Sequence, residues 1–268
     1  MPFAQTSAGA LYHEEQGEGE PLLLVPGLSN DHAGFILQVP AFSEAGLRTI
    51  TFDNRDSGQS FNASKPYEIG DMARDVLALA DALDLESFHL LGVSMGGAIA
   101  QEVALAAPGR VRTLTLAVTW ADSGPWGELN ARIVGGLVAD MTREERIEYL
   151  MLLSLSEKFF RNPDAVAFVK KVALDNPYPQ SSEAFSRQVA ASGRHKTVDR
   201  LGALTMPVHV IGAEWDIFVP VWKSRELAAS IPGAELTVIP ESPHGANIER
   251  ADEFNRAVLG FLVPRLGQ

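Results

Sequence analysis

The chain contains no cysteine. That absence removes disulfides, thiolate metal sites and a cysteine nucleophile together, and it leaves serine as the obvious covalent catalyst. Basic charge is also scarce. The 22 lysines and arginines face 34 aspartates and glutamates, for a formal net charge of -12. A surface of that sign repels phosphate backbones and anionic lipid, so neither nucleic acid nor membrane is an expected partner. No apolar run nears the ~18 residues that cross a bilayer. The start, Met1-Pro2-Phe3-Ala4-Gln5, has neither the basic region nor the apolar core of a signal peptide. The expectation is a soluble, cytoplasmic chain that acts on a small molecule, with a homo-oligomer left open. The histidines (His13, His32, His89, His195, His209 and His244) never fall at i, i+4 spacing and form no H-E-x-x-H cluster, so no metal is expected. What is present is ordinary: 268 residues, 46% of them hydrophobic, enough for one large domain or two small ones.

Short apolar runs alternate with helical stretches in the first part of the chain. Leu11 to Glu14, Leu22 to Val25, Arg48 to Phe52, Phe88 to Leu91 and Thr113 to Val118 read as strands. Phe35 to Ala45, Tyr67 to Leu85 and Gly97 to Ala107 read as helices, the second with apolar residues every three or four positions. Such alternation implies a buried parallel sheet with crossover helices. From about Asp122 to Arg200 it stops and the pattern turns helical, clearest at Arg143 to Leu155 and Asp164 to Leu174. It resumes with strands at Val208 to Ile211 and Glu235 to Ile239 and helices at Val221 to Ser230 and Ala251 to Leu262. Residues 1–121 and 201–268 are therefore expected to form one α/β core, with 122–200 inserted as a helical cap.

Gly92-Val93-Ser94-Met95-Gly96 spells G-x-S-x-G between the strand at Phe88 and the helix after Gly97. A hydroxyl becomes a useful nucleophile only where a base and a carbonyl can both reach it, and a sharp strand-to-helix turn provides that exposure. Gly92 and Gly96 suit the bend because a Cβ at either would collide. The first amide of the following helix, on Met95, points toward the place where charge builds on an attacked carbonyl oxygen.

A serine needs a base, and the base needs a carboxylate. His244 follows the strand ending at Ile239, and Asp216 follows the strand ending at Ile211, so both belong at carboxyl ends of strands, where open parallel sheets bind ligands. Glu214 and Asp122 compete for the acid's role, and Asp216, at the loop mouth before Pro220, is preferred. A second oxyanion donor is expected from Pro26-Gly27-Leu28-Ser29, through the amide of Leu28. Asp53-Asn54-Arg55-Asp56-Ser57-Gly58-Gln59-Ser60 reads as a supporting turn with an arginine–carboxylate pair. Trp120, Trp126 and Trp215 are candidates to wall an apolar acyl pocket, with core or cap packing as the other reading. Leu137, Met151, Leu152, Phe159 and Phe168 are candidate lining from the cap.

On Pro26-Gly27, Asp53-x-Arg55, Gly92-Val93-Ser94-Met95-Gly96-Gly97, Asp216 and His244, the chain resembles the α/β-hydrolase superfamily from Pro21 to Leu262. Gly-Val-Ser-Met-Gly-Gly and Asp-Asn-Arg-Asp-Ser-Gly-Gln-Ser are most similar to the esterase, 3-oxoadipate enol-lactonase and aminoacrylate-hydrolase group. The departures are Pro26 in place of the usual histidine and Pro243 where Gly-His is common. The resemblance implies a mostly parallel eight-stranded sheet flanked by helices, a helical cap, no cofactor, and hydrolysis of a small ester or lactone through an acyl-enzyme on Ser94. Carbon–carbon bond hydrolysis, amide or enamine hydrolysis and cofactor-free perhydrolysis use the same three residues, and a non-enzymatic member of the fold is the remaining alternative.

Overall fold

The computed structural model describes residues 2–267. It opens with β1 (Phe3–Gln5), β2 (Ala10–Gln16), β3 (Glu20–Val25), α1 (Val39–Glu44) and β4 (Leu47–Phe52). Then come α2 (Ile69–Ala82), β5 (Phe88–Val93), α3 (Met95–Ala106) and β6 (Val111–Ala117). Five helices follow: α4 (Gly124–Ala139), α5 (Arg143–Ser154), α6 (Glu157–Phe160), α7 (Pro163–Asp175) and α8 (Ser182–Gly193). The chain then returns to β7 (Val208–Ala213), α9 (Val221–Ala229), β8 (Glu235–Ile239), α10 (Ala246–Glu249) and α11 (Ala251–Leu262).

The strands form one sheet in the order β1-β2-β4-β3-β5-β6-β7-β8, antiparallel at β1 and β2 and parallel from β4 to β8. Seven of these strands correspond to apolar runs in the sequence. The eighth, β1, is three residues long with only Ala4 buried, too short to show a period.

Strand alternation divides the core between the sheet's two faces. Leu23, Val25, Ile50 and Leu90 pack with Met72 and Val76 of α2 and with Ile99 of α3. Leu22, Leu24 and Leu91 point the other way, against Phe42 of α1 and Phe254, Val258 and Phe261 of α11. Helices on both faces leave the strand ends as the open rim. The stretch read as one helix from Phe35 to Ala45 is instead a 3₁₀ turn over His32–Phe35 followed by α1. Pro40 explains where α1 begins, because a proline is tolerated only in a helix's first turn.

The five helices between β6 and β7 have a small core of their own, Val134, Val138, Phe185 and Val189. An isolated bridge between Asp122 and Lys196 brings the two ends of this segment together. It is held to the rest by Arg187, whose guanidinium grips both carboxylate oxygens of buried Asp56 at 2.8 and 2.7 Å, and by Ser156, which donates to Glu249 at 2.5 Å. Among the described residues no helix is long and apolar enough to cross a membrane.

Candidate active site

Ser94 stands between the last residue of β5 and the first of α3 with φ 56° and ψ -120°, a conformation costly for any residue with a side chain. The surroundings enforce it. Its N–H donates to Ala117 O at 2.9 Å, and its carbonyl accepts from Gly97 N at 2.9 Å. A Cβ on Gly92 would strike the carbonyl of Gly96, and one on Gly96 would strike the carbonyl of Val25, so the bend closes only around glycine at both.

Two residues remote in sequence meet this serine. Ser94 Oγ lies 3.0 Å from His244 Nε2, and His244 Nδ1 lies 2.7 Å from Asp216 Oδ2. The other carboxylate oxygen, Oδ1, accepts from Phe218 N at 2.8 Å and Val219 N at 2.7 Å, which fixes the carboxylate's orientation. All three side chains are buried, and the Phe218 ring meets the His244 imidazole edge-on with centroids 5.0 Å apart. With Nδ1 committed to the carboxylate, the imidazole presents Nε2 to the hydroxyl, an arrangement able to withdraw the serine proton and hold the resulting imidazolium. The competing acids are engaged elsewhere. Glu214 accepts from the amide of Glu241 at 2.9 Å, and Asp122 accepts from the amide of Gly124 at 2.7 Å.

Leu28, in the loop after β3, and Met95, directly after Ser94, both border a cavity that opens to solvent and includes Ser94. Neither amide finds an acceptor among the described residues. Met95 is the first residue of α3, where a helix leaves its N–H groups unpaired and carries partial positive charge.

Of the three tryptophans, Trp120 and Trp126 line the cavity, and Trp215 does not. Trp215 lies in the turn between β7 and α9, its amide bonded to Ser242 O at 2.8 Å and its side chain 46% exposed, so the loop that turns Asp216 inward turns its neighbour outward. None of Leu137, Met151, Leu152, Phe159 and Phe168 lines the cavity either. Leu137, Leu152 and Phe168 are exposed, and Met151 is buried away from it. The lining comes instead from one face of α4 (Trp126, Gly127, Asn130, Ala131, Val134) and from Val189, Ser192 and Gly193 of α8. The three-to-four spacing of the α4 set is a helical signal, but apart from Trp126 none of its residues is bulky. Lys223, at the start of α9, also borders the cavity and donates to Asp122 O at 2.8 Å.

The turn at 53–60 is the support that the sequence suggests, with partners from farther away. Arg55 pairs with Asp75 of α2 at 2.5 and 2.7 Å, and Asp56 pairs with Arg187. Among the described residues, one group of potential metal ligands, Asp31, His32 and Asp53, has its ligand atoms within 4.8 Å of one another. Its carboxylate oxygens all accept from the protein: those of Asp31 from Ala33 N and Asn176 Nδ2, those of Asp53 from His32 and from Gln59 N. The cluster works as a brace beneath the turn, and its bond to Asp53 raises the His32 pKa.

Comparison with known proteins matches this architecture. The "Putative carbamate hydrolase RutD" of Variovorax paradoxus (strain S110) is 32% identical over 262 residues, 94% of this chain and 96% of that protein. A thermophilic esterase from Thermogutta terrifontis superposes with a TM-score of 0.87 at 26% identity, covering 98% of both chains. The enol-lactonase from Burkholderia xenovorans LB400 gives 0.83 at 26% identity, over 97% of this chain and 99% of that one. The sequence profile of the alpha/beta hydrolase fold matches residues 20–251, and the chain belongs to the α/β-hydrolase fold family.

Proposed function

We propose that the protein is a serine hydrolase of small esters or lactones that works through an acyl-enzyme on Ser94. The observation that carries this reading is the relay of Ser94 Oγ, His244 and Asp216 at 3.0 and 2.7 Å on a turn that holds the hydroxyl clear of the backbone. His244 Nε2 takes the serine proton as Oγ attacks the carbonyl carbon, and Asp216 stabilises the imidazolium that forms. The amides of Leu28 and Met95 receive the oxyanion. Collapse expels the alcohol, which takes its proton from His244. Water then attacks the acyl-enzyme with the same imidazole as base, and the acid leaves.

The residues from 122 to 200 act in this reading as a cap that selects the acyl group. The lining by Trp120, Trp126, Val134 and Val189 suits a small, mostly apolar acyl chain. A carbamate is the second reading, favoured by the name of the Variovorax relative, and its cleavage by the same residues proceeds through a carbamoyl-enzyme. Hydrolysis of p-nitrophenyl acetate and of a p-nitrophenyl carbamate by the wild type and by Ser94→Ala tests the proposal. Turnover that depends on Ser94 supports it, with the faster substrate choosing between the two acyl classes, and wild-type turnover by Ser94→Ala refutes it.

A further inference from the structure

Gln188 of α8 is fully buried, and every hydrogen-bonding position of its amide is used. Oε1 accepts from Ser29 N at 3.1 Å and from Gln180 Nε2 at 3.0 Å, and Nε2 donates to Arg55 O and to Ser57 Oγ, both at 3.0 Å. The amide's orientation is unique, because a backbone N–H can only donate to it and a backbone carbonyl can only accept. One side chain of the helical insert thus bridges the loop after β3 and the turn after β4.

The loop after β3 needs that bridge. Ser29 has φ 61°, in the left-handed region that a residue with a side chain occupies only when its surroundings insist. Within the loop, Asn30 N bonds Gly27 O at 3.2 Å, and the side chain of Leu28 packs against both the sheet core and the core of the insert. Gln188 holds the peptide plane that joins Leu28 to Ser29, and through it the backbone of Leu28.

We propose that Gln188 is a positioning residue that aims the Leu28 amide at the oxyanion, so that the helical insert contributes to transition-state stabilisation as well as to substrate fit. This rests on the serine-hydrolase reading above. Removing an oxyanion donor costs about 10²- to 10³-fold in kcat. A donor that is present but misaimed should cost less, about tenfold to a hundredfold.

The test compares Gln188→Leu with Ser156→Ala, which weakens another attachment of the insert to the core, the bond from Ser156 to Glu249, without touching Gln188 or Ser29. Each is measured for kcat and KM on p-nitrophenyl acetate and for inhibition by phenylboronic acid, whose boron adds Ser94 Oγ while the serine proton passes to His244, placing a borate oxygen at the oxyanion position. Ser94→Ala is measured first. If it keeps turnover, the underlying reading fails; if it is inactive, the remaining outcomes bear on Gln188 alone. The expected result is a tenfold to hundredfold loss of kcat in Gln188→Leu with KM within about twofold, a matching weakening of boronate inhibition, and Ser156→Ala close to wild type. A Gln188→Leu enzyme with unchanged kcat and boronate affinity, or a Ser156→Ala enzyme equally impaired, overturns the proposal. Should Gln188→Leu not fold, Gln188→Asn, which keeps the amide and withdraws it by one methylene, is read by the same criteria.

Discussion

Glu214 and Asp216 stand two residues apart in the loop after β7 and serve different partners: Glu214 accepts from the amide of Glu241, and Asp216 accepts at Oδ2 from His244 Nδ1. The difference lies in the turn that follows. The amides of Phe218 and Val219 converge on Asp216 Oδ1 and aim the free oxygen at the imidazole.

Asp216→Asn should therefore lower kcat by about 10⁴, through loss of imidazolium stabilisation and of the correct tautomer. Glu214→Gln and Asp122→Asn should stay within about tenfold of wild type. Steady-state hydrolysis of p-nitrophenyl acetate checks this, and an Asp216→Asn enzyme milder than either of the others assigns the acid elsewhere.

Acyl-chain preference should respond to the cavity-lining residues of α4 and α8. Val189→Phe fills the cavity, and Trp126→Ala opens it. Each methylene gained or lost in an apolar pocket is worth about 1–3 kcal/mol, so kcat/KM for butyrate relative to acetate esters should fall about tenfold or more in the first and rise in the second. Phe168→Ala, on a residue 68% exposed, should leave that ratio unchanged. A chain-length series of p-nitrophenyl esters measures all three.

The strands and the serine turn are legible in the sequence because each rests on a local constraint. Leu22 to Val25 must be apolar throughout to be buried on both faces, and Gly92 and Gly96 admit no Cβ. The loops after β7 and β8 are legible for a topological reason, since parallel strands send their carboxyl ends to one rim. The cavity wall is not. Reading for bulk favours Leu152 and Phe168, which face solvent, over Gly127, Ala131 and Gly193, which border the cavity and whose smallness lets α4 and α8 pack closely, since a Cβ on Gly193 would strike that of Ala131. The partner of Arg55 is equally hidden. Asp75 lies twenty residues away and meets it only when α2 packs on the sheet.

Acid should destabilise the protein through histidines buried in the neutral form. Burial pushes His195 down to about 3 and His209 down to about 4, from the usual 6.5. Because these folded values lie below the unfolded one, the unfolded chain takes up the proton first. This contribution to stability is whole above pH 6.5 and is lost as the pH falls from 6.5 toward 3 or 4, by up to about 1.4 kcal/mol per pH unit for each group. Urea denaturation at pH 7 and pH 5 should show the loss, and His195→Leu should reduce the difference between the two. An unchanged difference in that variant removes His195 from the account.

The most direct measurement is the site of covalent modification by a fluorophosphonate, in which Ser94 Oγ displaces fluoride at phosphorus. Digestion and peptide mass spectrometry of the inactivated protein should place a single phosphonyl group on Ser94, with none on the Ser94→Ala variant and little on Asp216→Asn in the same time. A modified residue other than Ser94, or an active enzyme that the reagent leaves unlabelled, would contradict the assignment of Ser94 as the nucleophile.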